Sequence, residues 1–243
     1  MLKKSQPDGF TEIHHALLFA LISRSVIEGV GEQKGEAIIR KAVRQYGQER
    51  GHRMALRAQA NKHALNMTNY IAYNEYKNSP GGMEQKIIEK VPHARVRISK
   101  CPWHTTWKEN ELLAYGRFYC LEIDEAVVRG FNPALQLDVH GTQTNGAAQC
   151  EFLFHDANLT ILNYLLIGYR KAVKPGAKAV LPWDYHTGHL FKTLEEVVVE
   201  ELGAERQRAI DTALVEFADR FGEQALQKVA ASRSMDYSIL LVS

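Results

Sequence analysis

Between Cys101 and Phe154 the chain gathers residue types that packing alone does not call for. Cys101-Pro102-Trp103 comes first, then Tyr119-Cys120 and Ile123-Asp124, then the turn Gly130-Phe131-Asn132-Pro133. Two alternating runs follow, ending at Gly146 and at Cys150-Glu151-Phe152. Thiols, a carboxylate and a carboxamide are the parts of a nucleophile, a proton carrier and an orienting group. Read as one helix, Cys120 and Asp124 stand at i and i+4 and share a face. Asp124 then lies toward the helix C-terminus, where the dipole disfavours a carboxylate. If buried there, it needs a partner or serves as a general acid or base. Cys150 falls on a strand with Phe152 and Phe154 on its face and Glu151 on the other, which turns the thiol inward. A nucleophilic thiol needs a lowered pKa, and His140 and His155 lie on the same hairpin. Each cysteine read alone is equally a small core residue. Asn132 precedes a proline and is therefore extended; its amide either faces a site or caps the turn.

The chain has ten histidines. His14 and His15 are adjacent, and His186 and His189 stand at i and i+3 on a helix start. Imidazoles on one helix face can bind a metal, so a metal-dependent hydrolase built on His14, His186 and His189 is one alternative. No acid-bearing HExxH motif accompanies them, and the expectation is no metal and no cofactor. P-loop, GxGxxG and GxSxG patterns are absent, which weakens nucleotide and serine-hydrolase readings.

The elements that must position these residues follow from periodicity. His15 to Glu28 carries Leu18, Phe19, Ile22 and Val26 at helical spacing. Glu32 to Ala60 reads as a longer helix with Ile38, Ala42 and Tyr46 inward, weakened or kinked by Gly47 and Gly51. Its basic residues, interspersed with glutamates, read as a solvated face. The last quarter repeats this order: Leu190-Phe191, Val198, Gly203, Ala209-Ile210, Phe217 and Gly222 align with Leu18-Phe19, Val26, Gly31, Ala37-Ile38, Tyr46 and Gly51. His186 then falls opposite His14. The pattern suggests a duplicated helix pair, although any two amphipathic hairpins with a glycine turn share it.

In the middle, Ala94 to Ser99 alternates as a strand. Trp107 to Val128 is helical and ends at Gly130. Leu135 to His140 and Gln149 to His155 are strands joined around Thr144-Asn145-Gly146. Leu159 to Tyr169 is apolar and ambiguous. Pro175, Gly176 and Pro182 mark a connection, and Asp236 to Ser243 suggests an edge strand. The fold class is therefore α+β, a small antiparallel sheet flanked by helices with a helix pair at each end of the chain. We expect a single domain over 1–243, with an N-terminal helical part (1–78), a strand-helix-hairpin part carrying the site (92–156) and C-terminal helices (184–243).

With 243 residues, 45% of them hydrophobic and 24% charged, the chain can bury a large core. A net charge of +2 does not argue for nucleic acid. No apolar run is expected to span a bilayer, and no signal-peptide core follows Met1. Three cysteines fit reduced thiols in a cytoplasm. The expected partner is a small-molecule substrate, with no nucleic acid and no membrane. Amphipathic helices with exposed aromatics favour a homo-oligomer.

The ordered motifs Cys101-Pro102-Trp103, Tyr119-Cys120, Ile123-Asp124, Gly130-Phe131-Asn132-Pro133, Gly146 and Cys150-Glu151-Phe152 resemble the L-2-amino-thiazoline-4-carboxylic acid hydrolase family. So do His15-Ala16-Leu17-Leu18-Phe19, Gly31-Glu32 and Tyr46-Gly47-Gln48-Glu49-Arg50-Gly51. The resemblance covers Ile13 to Phe154. It implies a bacterial cytoplasmic enzyme that opens a small heterocycle with water, for the name-giving member a cyclic isothiourea giving an N-carbamoyl amino acid. On that substrate class, Cys120 or Cys150 would attack the ring carbon, Asp124 would stabilise the amidinium, and His140, preferred over His104, would shuttle protons. Asn132 would orient the substrate and Arg95 or Arg97 would hold a carboxylate. Trp103, His104, Arg97, His14 and His186 complete the candidate binding set. A non-catalytic small-molecule sensor is the competing reading.

Overall fold

The computed structural model of the protein describes residues 9–173, 179–203 and 206–239. Helix α1 (Glu12–Val30) starts at Thr11, whose side chain accepts the Ile13 N–H, while His14 Nδ1 accepts the Thr11 N–H at 3.1 Å. A histidine thus completes the capping box usually closed by Glu or Gln. Contrary to expectation, α1 is long and apolar enough by composition to cross a membrane. Most of it is buried instead, with Leu18, Phe19, Leu21 and Ile22 fully enclosed in the core. Gly31, at φ +88, ends α1 and opens α2 (Glu32–Ala60).

Helix α2 is continuous through Gly47 and Gly51. Those glycines are packing surfaces rather than kinks. They receive α6 (Ile123–Phe131) so closely that a Cβ on Gly51 would lie 2.1 Å from the Val127 carbonyl oxygen. From the other side, a Cβ on Gly130 would lie 2.2 Å from the Gln48 carbonyl oxygen. The two backbones touch, which only missing side chains allow.

The long central helix divides into three: α4 (Pro102–Glu109), α5 (Leu113–Cys120) and α6. Glu111 at φ +59 turns the chain between α4 and α5, and Trp107 lies against Gly116 on the far side of that turn. Between α5 and α6, the Glu122 carboxylate is drawn onto α2 by Arg40 (2.6 Å) and Arg44 (2.9 Å). These charge pairs hold the α5–α6 junction against α2. Cys120 ends one helix and Asp124 begins the next, so they do not share a helix face. Asp124 lies in the first turn of α6, where the dipole favours a carboxylate.

The sheet has the order β1-β2-β4-β3, antiparallel throughout: β1 (Glu84–Glu89), β2 (Ala94–Lys100), β3 (Leu137–Gly141) and β4 (Cys150–Phe154). The fold is α+β, as expected. Strand β1 carries no alternation, because most of its side chains are exposed on an edge. The β3–β4 turn is a short 3-10 segment, Gln143–Asn145, closed by Gly146 at φ +87. Register places Ile98 opposite Cys150 and Val96 opposite Phe152 on the inward face. On the outward face Arg97 pairs with Glu151 at 2.6 Å and Arg95 with Glu151 at 2.9 Å.

Helix α3 (Met67–Ala72) supports α7 (Ile161–Ala172). Helix α7 buries only Ile167 and exposes Ile161, Leu162, Leu165 and Tyr169. Of the C-terminal helices α8 (Trp183–Leu202), α9 (Arg206–Phe221) and α10 (Glu223–Ala231), α8 and α9 pack on α1, α10 packs on both of them, and α8 also packs on α2. Both α1 and α8 end at a positive-φ glycine, Gly31 and Gly203. The proposed equivalents Gly51 and Gly222 differ: Gly51 lies inside α2, whereas Gly222 separates α9 from α10. No strand forms over Asp236–Ile239. Leu240 to Ser243 of that expected strand, and Pro175 and Gly176 of the expected connection, lie outside the described residues.

Replacing Gly51 with Ala is expected to destabilise the protein by at least about 1–3 kcal/mol, the usual range for overpacking. Gly29→Ala, at an exposed helical position with nothing within 4 Å, is expected to stabilise it by roughly 0.5–1 kcal/mol. Paired thermal melts check both.

Candidate functional site

The sheet's inner face, α2 and the helices α4 to α6 border a cavity of about 490 Å³, within the range of small-molecule sites. All three of the chain's cysteines line it, with Asp124, Trp103 and Thr142. Ile98, Cys150 and Phe152 form its floor by strand alternation. Tyr76, Asn78, Ser79, Met83 and Gln85 close another side. Lys171, an exposed residue of α7, also reaches it.

Of the expected residues, the structure therefore brings together Cys120, Asp124, Cys150 and Trp103. It does not bring in the others. His140 points outward from β3, because Leu137 and Val139 take the inward positions. Asn132 donates to the Leu65 carbonyl at 2.7 Å and accepts from the Ala134 N–H at 3.0 Å, so its amide ties down the turn. His104 on α4 is half-buried outside the cavity wall. Arg97 is spent on Glu151, on the far face of the sheet. His14 caps α1 between Phe10 and Phe221. His186 is fully buried behind the wall, bonded to the Glu75 carbonyl at 3.2 Å. His189 bonds Glu49 at 2.8 Å. These histidines do not converge, and among the described residues no group of three or more His, Cys, Asp and Glu is placed to hold a metal.

Burial governs the titration of the lining groups. It pushes the Asp124 carboxyl from 3.8 up to about 6, with Arg50 pulling the other way. The accessible surface that Asp124 keeps faces the cavity. Burial likewise pushes Cys101 up to about 11 and raises Cys120 well above the ordinary thiol range. Cys150 is raised too, although the Gln143 N–H donates to its sulfur at 3.3 Å. All three are neutral thiols near pH 7, which removes the thiolate that a cysteine nucleophile requires.

One group of site residues is invisible to the motif reading. On α2, Tyr46, Arg50, Arg53 and Arg57 share the inward stripe, so the basic face expected to be solvated is partly buried. Glu75, fully enclosed, takes two hydrogen bonds from Arg53 (2.9 and 2.8 Å) and one from Arg57 (3.0 Å). Burial alone would raise its pKa; Arg53, with Arg50 and Arg57, outweighs that and holds the carboxyl below its ordinary value. Arg50 is 4% exposed and lies 3.7 Å above the Tyr76 ring, lining the cavity. The signal in the sequence was an arginine at i+3 and i+7 from another on the face that carries Tyr46 and Met54.

A chain of hydroxyls runs behind this arginine. Tyr46, Tyr76 and Tyr119 are linked at 3.1 Å each, and Tyr119 meets His15 Nε2 at 3.1 Å. Tyr46 gives its proton to the His186 carbonyl, 3.4 Å away, which can only accept. Tyr76 must then donate to Tyr46, Tyr119 to Tyr76, and His15 Nε2–H to Tyr119. That assignment leaves His15 Nδ1 as a bare lone pair, in agreement with its having no partner.

Residues 11–154 match the family model described as L-2-amino-thiazoline-4-carboxylic acid hydrolase. The match contains every cavity-lining residue except Lys171. No curated protein and no solved structure matches the chain.

Asp124 binds its proton more tightly folded than unfolded. The fold is therefore favoured below pH 3.8, loses that advantage as pH rises to about 6, and carries the full cost above it. Discounted for water in the cavity, the cost is on the order of 1–3 kcal/mol. Asp124→Asn is expected to raise the melting temperature at pH 8 and to leave it nearly unchanged at pH 4. Iodoacetamide labelling at pH 7 should be slow at all three cysteines and should quicken only as pH rises above 9.

Proposed function

This chain belongs to the L-2-amino-thiazoline-4-carboxylic acid hydrolase family, and on that premise we propose a ring-opening hydrolysis. The substrate is a small nitrogen-containing heterocycle, a cyclic amidine or isothiourea such as 2-amino-thiazoline-4-carboxylate, attacked at its amidine-like carbon. The observation that carries the reading is Asp124: a carboxyl held near pH 6 on a cavity of ligand size. A group that titrates close to neutrality can take a proton and return it within one turnover.

With the ring nitrogen protonated, Asp124, as carboxylate, removes a proton from water as the water oxygen bonds to the ring carbon and the C=N π pair moves onto that nitrogen. The carbon–sulfur bond then breaks as the new C–OH becomes a carbonyl and releases its proton to solvent, and the proton held by Asp124 passes to the departing sulfur. For a thiazoline carboxylate the product is an N-carbamoyl amino acid bearing a free thiol. The neutral state of Cys120 and Cys150 favours water over either sulfur as the nucleophile. In this scheme the thiols are uncharged walls that desolvate the reacting carbon.

Incubation with 2-amino-thiazoline-4-carboxylate and a set of cyclic ureas and amidines, followed by mass spectrometry, is expected to give a product heavier by one water. Asp124→Asn should lower kcat by roughly 10²- to 10⁴-fold, and wild-type activity should rise with pH through about 6. Cys120→Ser and Cys150→Ser should each keep activity within about tenfold. A collapse in one of them would instead assign a covalent thiol intermediate. Saturable binding without turnover would replace the enzyme reading with a ligand sensor.

A further inference from the structure

Three buried arginines face one buried glutamate at the back of the cavity, and the glutamate is used up. Arg53 holds both Glu75 oxygens and also donates to the Tyr237 carbonyl at 3.1 Å; Arg57 takes a third bond. Arg50 is left over. Its Nε lies 3.9 Å from Glu75, close enough for an ion pair but beyond hydrogen-bond range, and donates no hydrogen bond. Among the described residues no ion pair joins Arg50 to Asp124, the carboxyl that shares its cavity. A guanidinium cannot shed its proton to escape burial, and three buried guanidiniums share the single charge of Glu75, which leaves excess positive charge in the cluster. Trp103, 6% exposed and on the same cavity, also leaves its indole N–H without an acceptor. Tyr76 lies under Arg50 at 3.7 Å and 5.8 Å from the Trp103 ring, so the two idle donors flank one aromatic surface.

We propose that Arg50 and the Trp103 N–H form an anion subsite that takes the carboxylate of a small planar ligand, the ring lying along the Tyr76 side of the cavity. A planar carboxylate matches the guanidinium fork, and a flat ring matches the aromatic surface beside it. Arg50 occupies the anchoring role that the sequence offered to Arg95 or Arg97, which are paired with Glu151 outside the cavity. The identity of the ring rests on the proposed hydrolase function; the demand for an anion does not.

Titration calorimetry with thiazole-4-carboxylate, whose aromatic ring is not a substrate for opening, tests the subsite without turnover. Thiazole-4-carboxamide and inorganic phosphate are the comparison ligands. The acid is expected to bind, and the amide and phosphate to bind at least about tenfold more weakly, as loss of a charge-assisted bond implies. Arg50→Met should erase the preference for the acid, Arg50→Lys should keep part of it, and Arg97→Ala should change nothing. Thermal melts report whether Arg50→Met is folded, and Arg50→Lys answers the question if it is not. Equal binding of acid and amide, stronger binding of phosphate, unchanged affinity in Arg50→Met, or no binding of the acid would each overturn the subsite. Acid binding through Arg50 with no ring opened would leave the subsite standing and remove the hydrolase. Ring opening with the same KM in Arg50→Met would do the reverse.

Discussion

The contact between α2 and α6 is the constraint on which the rest of the site depends. Two helices whose backbones touch have no side-chain layer to adjust between them, so their relative position is set by covalent geometry and van der Waals radii. Arg50 lies between Gly47 and Gly51 on one helix; Asp124 precedes Val127 and Gly130 on the other. The same glycines that let the backbones meet therefore fix the cation relative to the acid. Glu122 reinforces this from outside the contact, since its bonds to Arg40 and Arg44 hold the start of α6 against α2.

Around this pair the protein keeps charge and polarity under strict control. Glu75 offsets Arg53 and Arg57, the tyrosine chain is polarised from His15 toward the His186 carbonyl, and the thiols remain uncharged. Asp124 sits where two influences oppose each other: the first turn of α6 favours its anion, and burial opposes it more strongly. The balance gives a carboxyl near neutrality, at a cost to the fold's stability that a core residue would not impose.

Much of the framework was legible in the chain. Both ends of α2, strand β2 and the β3–β4 hairpin follow from periodicity and from the Asn-Gly turn. Cys120, Asp124, Cys150 and Trp103, singled out by residue type and order, line one cavity. What failed did so for identifiable reasons. Periodicity cannot see the breaks at Glu111 and Glu122, because one is a backbone conformation and the other lies where Glu122 pairs with Arg40, 82 residues away. Strand β1 is an exposed edge with no apolar face. Arg50 was hidden by its own type: an arginine is read as solvated unless its helical face is counted, and the counter-ion that draws its neighbours inward, Glu75, lies in a segment without regular structure. His15 rather than His14 joins the hydroxyl chain, a distinction of one residue that only the helix rotation decides.

The two sides of the cavity differ in kind. One is locked by helix backbones in contact; the other, from Asn74 to Gln85, is connecting chain and the start of an edge strand. Such an asymmetry divides labour over evolutionary time. Changes on the locked side would disturb acid and cation together, whereas Asn78, Ser79, Met83 and Gln85 can be exchanged without moving either. Under the proposed hydrolysis, diversification toward rings of other size or substitution would accumulate on that side first, while Asp124 and Arg50 stayed where they are.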